Sequence, residues 1–282
     1  VAKTPKRRFT SPKPTRIKDG AGKVSRPFFT MPAVDRTRLQ TQIRLVTQYF
    51  ASADEFVKHL SELFEYYSDR SFAQPGQNQL MAASEVYNVT PLVMRQFEFA
   101  FSQLCRENPL STLDVIDCLW QEHKLEPRQL AAYLLGKMPI EYSQQVIERL
   151  EKWSIPTEDR DLIQYLQTAG SEGLRHEAIE LWLKQISFWL ESKQAHDQIF
   201  GLQSLIPLIE DEDFHNLPKI FALIQPLVRQ PGSRSLFTLQ KVLEALAKRS
   251  PVETVYNLKL ILQSNFAPDV PRLLRRLIAV FP

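Results

Sequence analysis

From Asp35 onward, apolar residues recur three and four positions apart, the spacing that collects them on one face of an α-helix. Leu236, Leu239, Leu243 and Leu246 predict a helix from Ser235 to Arg249, and Val255, Leu258 and Leu262 predict one from Val252 to Gln263. Start signals divide the pattern further. Ser52 with Glu55 makes a capping box ahead of Phe56, Leu60 and Leu63, and Ser111 with Asp114 resembles a second ahead of Val115, Leu119 and Trp120. Pro91, Pro127 and Pro251 fall at first-turn positions, where a missing N–H costs nothing. The pass yields roughly fourteen helices and no alternating strand, so a helical pair recurs about every 35 to 40 residues, near the period of HEAT-type arrays. The predicted fold is all-α: a right-handed α-solenoid of HEAT-like antiparallel helix pairs, an α-α superhelix, with a compact irregular bundle as the alternative.

Composition agrees with that pattern. The 282 residues are 44% hydrophobic and include 8 glycines, which excludes a chain disordered throughout and disfavours turn-dense sandwiches and glycine-rich dinucleotide folds. Cys105 and Cys118 are too few for a disulfide framework and read as small core residues of a reducing compartment. Charge or proline interrupts every apolar run within about ten residues, too short for a bilayer span. No apolar leader opens the sequence. A cytoplasmic, monomeric protein that does not enter membranes is the expectation.

Charge changes the picture more. The formal net charge of +3 hides three parts: residues 1–26 carry +8, residues 218–282 carry +7, and the stretch between carries −12. The first 34 residues, rich in Pro, Lys, Arg, Ser and Thr and without apolar period, are predicted to be a disordered basic arm, and 35–282 a single HEAT-like helical-repeat domain. A polyanion would be drawn to the arm and to the last quarter of the chain.

Catalytic motifs with a fixed spacing are missing: there is no G-x-G-x-x-G, G-x-x-x-x-G-K, H-E-x-x-H or G-x-S-x-G. His59, His123, His176, His196 and His215 are scattered with no pair at i, i+4, so neither a metal nor a cofactor is expected. His176, Glu177 and Glu180 read as a solvated helix face, and Glu210 to Asp213 as an acidic connection. Trp120 and Trp182 fall in apolar stripes, whereas Trp153 lies just before Glu158, Asp159 and Asp161, where an aromatic ring beside a carboxylate could hold a cation.

Three segments in order resemble the HEAT-like DNA alkylation repair family, the alkylpurine DNA glycosylases. They are Val86-Tyr87-Asn88-Val89-Thr90-Pro91-Leu92-Val93-Met94-Arg95, Leu119-Trp120-Gln121-Glu122 through Glu126-Pro127-Arg128 to Leu134-Leu135, and Val242-Leu243 through Ser250-Pro251-Val252-Glu253. The resemblance implies a concave basic surface that wraps duplex DNA and hydrolyses the glycosidic bond of cationic alkylated purines. The family uses an aspartate at the sugar cation, tryptophans at the lesion and an arginine on the DNA backbone. Aligned without gaps, this sequence has Arg160 at the first tryptophan's place and Gln164 at the aspartate's. Gln198 falls near the arginine and Lys241 near the second tryptophan. Glutamine cannot supply the negative charge that a cationic transition state needs. The resemblance therefore implies a DNA-binding solenoid whose glycosylase chemistry is lost or altered. A shift of three residues would put Asp161 in the aspartate's place, and an active glycosylase using Asp161 or Asp159 with Trp153 is the corresponding alternative. Lys241, Lys248, Arg249, Arg272, Arg275 and Arg276 are the expected phosphate contacts. A scaffold that binds a protein or peptide in the concave groove is the competing reading, favoured by the acidic middle of the chain.

Overall fold

The computed structural model describes residues 35–68, 85–155, 158–263, 267–268 and 270–278, with the side chains of Arg272 and Ile278 excepted. The expected N-terminal arm, 1–34, lies outside the described residues. All regular structure among these residues is helical. The helices are α1 (Arg36–Thr47), α2 (Ala53–Tyr66), α3 (Pro91–Glu107), α4 (Pro109–Gln121), α5 (Leu125–Leu135), α6 (Ser143–Trp153), α7 (Arg160–Tyr165) and α8 (Glu172–Glu177). They continue with α9 (Ile179–Glu191), α10 (Ala195–Glu210), α11 (Leu217–Arg229), α12 (Leu236–Arg249), α13 (Pro251–Leu262) and α14 (Val270–Ile278). A 3₁₀ turn spans Ile140–Tyr142, and a π-helical turn at Leu166–Gly170 extends α7. No strand occurs among the described residues; two isolated bridges join Ser68 to Val89 and Glu85 to Lys124. Nor is any described helix long and apolar enough to cross a membrane.

Pro91 and Pro251 open α3 and α13 as expected, since a fixed φ suits the first helical position. Ser111 does not begin a helix. Pro109 opens α4 two residues earlier behind Asn108, so Ser111 and Asp114 sit inside it and no capping box forms. Ser52 does precede α2, but its hydroxyl makes no capping bond. Asp159 is a true side-chain cap: Oδ1 accepts from the N–H groups of Asp161 at 2.8 Å and Leu162 at 3.4 Å.

Packing sorts the helices into two series. In the first, α3 packs on α5, α5 on α7 and the π turn, the π turn on α10, α10 on α12, and α12 on α14. In the second, α2 packs on α4, α9 on α11, and α11 on α13. Helix α6 joins this second series through Arg149 on Asp117 of α4, at 2.9 and 2.6 Å, and through Glu151 of α6 on Trp189 of α9, at 3.0 Å. From α2 to α14, with α8 set aside, successive helices thus alternate between series, and α4 on α5, α9 on α10 and α12 on α13 join them. The apolar stripes meet between the two layers. Phe56, Phe64, Phe97 and Phe101 interlock at ring distances of 5.1 to 6.0 Å in the early core, while Leu239, Val242, Leu243 and Leu246 fill the late one.

One junction depends on missing side-chain bulk. Gly136 ends α5 against the π turn, where an added Cβ would lie 1.8 Å from the carbonyl oxygen of Ala169, and its own carbonyl accepts from the Gly173 N–H at 3.0 Å. Arg175 locks the same turn by donating to the Thr168 carbonyl at 2.6 Å. Cys105 is fully buried as expected, but Cys118 is half-exposed on α4, its S–H 3.7 Å from the Asp54 carboxylate.

Candidate nucleic-acid interface

The alternation of helices redistributes the charge that looks blocked along the sequence. The first series, α3, α5, α7, α10, α12 and α14, contains ten Lys/Arg against seven Asp/Glu. The second, α2, α4, α6, α9, α11 and α13, contains seven against eleven. In the acidic middle the difference is already present: α2, α4, α6 and α9 hold ten acids against four bases, whereas α3, α5, α7 and α10 hold six against four. Four of those six accept hydrogen bonds within the protein, among them Glu107 from Gln103 Nε2 at 2.7 Å and Asp197 from the Ser192 hydroxyl at 2.6 Å. Glu126 is buried and accepts from the N–H groups of Tyr87 at 2.9 Å and Val89 at 3.3 Å; Glu98 accepts from the Tyr165 hydroxyl at 2.9 Å. Burial and the neighbouring Glu98 carboxylate push the Tyr165 phenol well above its ordinary range, so it stays a donor.

Six of the ten bases in the first series lie on α12 and α14. On α12, Phe237, Lys241 and Lys248 are exposed and fall at helical spacings of four and seven, on one stripe. The Lys241 ammonium sits 4.9 Å from the centre of the Phe237 ring, which is 65% exposed. Arg249 is turned off that stripe: its guanidinium donates to the Glu212 carbonyl at 2.8 Å and ties α12 to the acidic connection after α10. On α14, Arg275 and Arg276 are exposed, opposite the buried Val270, Leu273 and Leu277. Arg272 belongs to the same helix, with its side chain outside the described set. Of the six expected phosphate contacts, four are thus exposed on two neighbouring helices, and one is held by the backbone.

The candidates for glycosidic-bond chemistry sit differently. Trp153 is 3% exposed, and its indole lies flat on Trp120 at 4.3 Å with an interplanar angle of 6°. The Arg128 guanidinium lies 4.5 Å from the Trp120 ring and closes an ion pair with Glu158. Arg160, Asp161 and Gln164 are exposed on α7, held by the Asp159 cap. Gln198, half-buried on α10, donates to the Ser192 carbonyl at 2.8 Å. Arg160, Gln164, Gln198 and Lys241 therefore all occupy helices of the first series. Among the described residues no three His, Cys, Asp or Glu side chains converge as metal ligands would.

Sequence reasoning missed Glu126 and Arg128 as structural residues. Their partners, the loop at Tyr87 and Val89 and the indole of Trp120, are visible only after folding. A family model described as DNA alkylation repair enzyme matches residues 60–251, roughly two thirds of the chain. Comparison with curated proteins and with solved structures returns no match.

Proposed function

The chain belongs to the DNA alkylation repair family, and from that premise we propose that it is a duplex-DNA-binding, HEAT-like solenoid whose glycosylase chemistry is lost or altered. The observation that carries this reading is the partition of charge between the two helical series. Alternating series packed two helices apart are what stacked helical pairs produce, which supports the solenoid. Bases concentrated on one series let a polyanion lie along it without meeting the acids of the other, so the −12 middle of the sequence does not bar it. Lys241, Lys248, Arg275 and Arg276 are the phosphate contacts in this reading, and Arg272 joins them as the third arginine of α14. Arg249 serves instead to hold the connection at Glu212.

Loss of chemistry rests on the α7 region. A neutral side chain, Gln164, stands where the family places its carboxylate, and the nearby indole, Trp153, is packed against Trp120 rather than offered to a ligand. Electrostatic stabilisation of a developing cation needs a fixed negative charge near it. Such a protein would find or hold alkylated DNA without excising the base. The reading calls for no metal or cofactor and treats the chain as a cytoplasmic monomer. A second reading, a protein-binding scaffold, is favoured by one feature: Val252, Tyr256 and Leu260 form an exposed apolar stripe on α13, in the second series.

Two assays separate these readings. Titration of a fluorescent duplex at increasing salt should give a log K against log [salt] slope of about −4, as four to five neutralised phosphates require. A slope near zero, or no binding at low salt, favours the scaffold. Release of alkylated purine from duplex DNA should stay at background. Release that disappears in Asp161→Asn but survives in Gln164→Ala would restore an active glycosylase built on Asp161.

A further inference from the structure

The end of α6, the end of α9 and the first turns of α10 line a half-open cavity of about 170 Å³. Phe188, Trp189 and Phe200 form its aromatic walls, and Glu151, His196 and Asp197 its polar ones. Trp189 and Phe200 meet edge to face at 4.9 Å and 79°, making a corner rather than a flat wall. Phe188 stands at the mouth, 66% exposed.

The carboxylates in this cavity are held but not used up. Glu151 Oε1 accepts both from the Trp189 indole N–H at 3.0 Å and from Gln185 Nε2 at 2.6 Å, leaving Oε2 for a guest. Asp197 Oδ2 accepts from the Ser192 hydroxyl at 2.6 Å, leaving Oδ1. Among the described lining residues none is Lys or Arg. Two oriented carboxylates beside aromatic faces repel anions and suit a cation whose body is apolar. The volume limits its size, since an engineered cavity of about 150 Å³ in another protein takes up benzene.

We propose that this cavity binds a planar organic cation of the amidinium or guanidinium class, about the size of one six-membered ring with its charged group. The cation pairs with Glu151 and Asp197, and its flat body lies in the corner between Trp189 and Phe200, with Phe188 covering the mouth. The site uses none of the proposed phosphate contacts and its charge is opposite to theirs, so its test does not depend on the nucleic-acid reading, although α10 shares a series with α12 and α14.

Benzamidinium is the probe, and the Trp189 indole N–H resonance, which reports on the bond to Glu151, is the readout in two-dimensional NMR of the full chain. A saturable shift with a Kd on the order of 1 mM is expected, with neutral benzamide binding at least about tenfold more weakly. The double variant Glu151→Gln, Asp197→Asn keeps all three internal hydrogen bonds possible and should weaken benzamidinium by roughly tenfold or more. Phe188→Ala, at an exposed position on which folding does not depend, should weaken it about threefold. Acetylarginine amide binding more tightly than benzamidinium would identify the source of the cation as a peptide's arginine and uphold the assigned chemistry. Equal affinity for benzamide and benzamidinium, or an unmoved Trp189 resonance at saturating probe, overturns the proposal. So does a charge-neutral variant that binds benzamidinium as the natural chain does.

Discussion

Two regions use the same kinds of side chain to opposite ends. Where α4, α5 and α6 meet, an arginine lies on a tryptophan that lies on a second tryptophan, and the stack ends in an ion pair with Glu158. On α12 a lysine lies on a phenylalanine, but the ring is 65% exposed where Trp153 is 3% exposed, and no carboxylate among the described residues closes the pair. A cation on an aromatic ring is a staple when both partners are covered and the charge is neutralised. Left open on a helix rich in bases, it is free to meet a ligand, as the proposed phosphate contact at Lys241 requires. Of the three segments that resemble the family, Leu119 to Leu135 supplies Trp120 and Arg128 of the first region, whereas Val242 to Glu253 runs through α12 itself, so the resemblance does not distinguish the two uses.

The contrast can be broken most forcefully by truncation. Trp153→Ala should cost about 4 kcal/mol in urea denaturation, because it empties a buried aromatic site and uncovers Trp120. Phe237→Ala should cost less than about 0.5 kcal/mol, as exposed substitutions do. Equal costs would erase the distinction between the regions. Gly136→Ala comes next, at about 3 kcal/mol, with a melting temperature lower by roughly 10 °C, since the backbone at Ala169 must move to admit a methyl group. Duplex affinity per folded molecule should be unchanged in that variant.

The early region should also respond to pH. Burial pushes the Cys105 thiol from 9.0 up to about 12, so the folded chain keeps a proton that the unfolded chain releases. That contribution is complete below pH 9.0 and is lost as pH climbs toward about 12. Tyr133 and Tyr165, also raised from 10.0, add to the loss at higher pH. The Cys105 contribution should therefore fall at about 0.7 kcal/mol per pH unit near pH 9.0 and steepen toward about 1.4 kcal/mol per pH unit above about pH 10. Burial and the Asp54 carboxylate also raise Cys118 from 9.0, so Cys105→Ala should lessen the fall between about pH 9 and pH 10 without abolishing it; an unchanged slope would assign it elsewhere.

Helices with strong local signals were legible in the sequence. Pro91 and Pro251 fix φ at helix starts, and the leucine stripe of α12 leaves little choice of face. Ser111 misled because capping is a competition, and Asn108 followed by Pro109 begins the helix first. The site was less legible. Trp153 beside three acids reads as cation chemistry until Trp120, 33 positions earlier, covers its face. Charge summed along the chain gave an acidic middle, but folding deals successive helices to alternate series, and a window sum cannot follow that. Arg249 looked equivalent to Lys248, yet one residue turns it about 100° around the helix and onto the Glu212 carbonyl.

The central claim is that the exposed bases of the first series hold phosphates. Its most direct test replaces Lys241, Lys248, Arg275 and Arg276 together by Gln and compares salt dependence with a control in which Lys58, Lys152, Lys184 and Lys219 of the second series are replaced. The magnitude of the log–log slope should drop by about 3 to 4 in the first variant, near 0.9 for each phosphate that is no longer neutralised. It should stay within about one unit in the control, with both variants melting close to the natural chain. An equal drop in the two variants, or an unchanged slope in the first, contradicts the assignment of the DNA-binding face to α12 and α14.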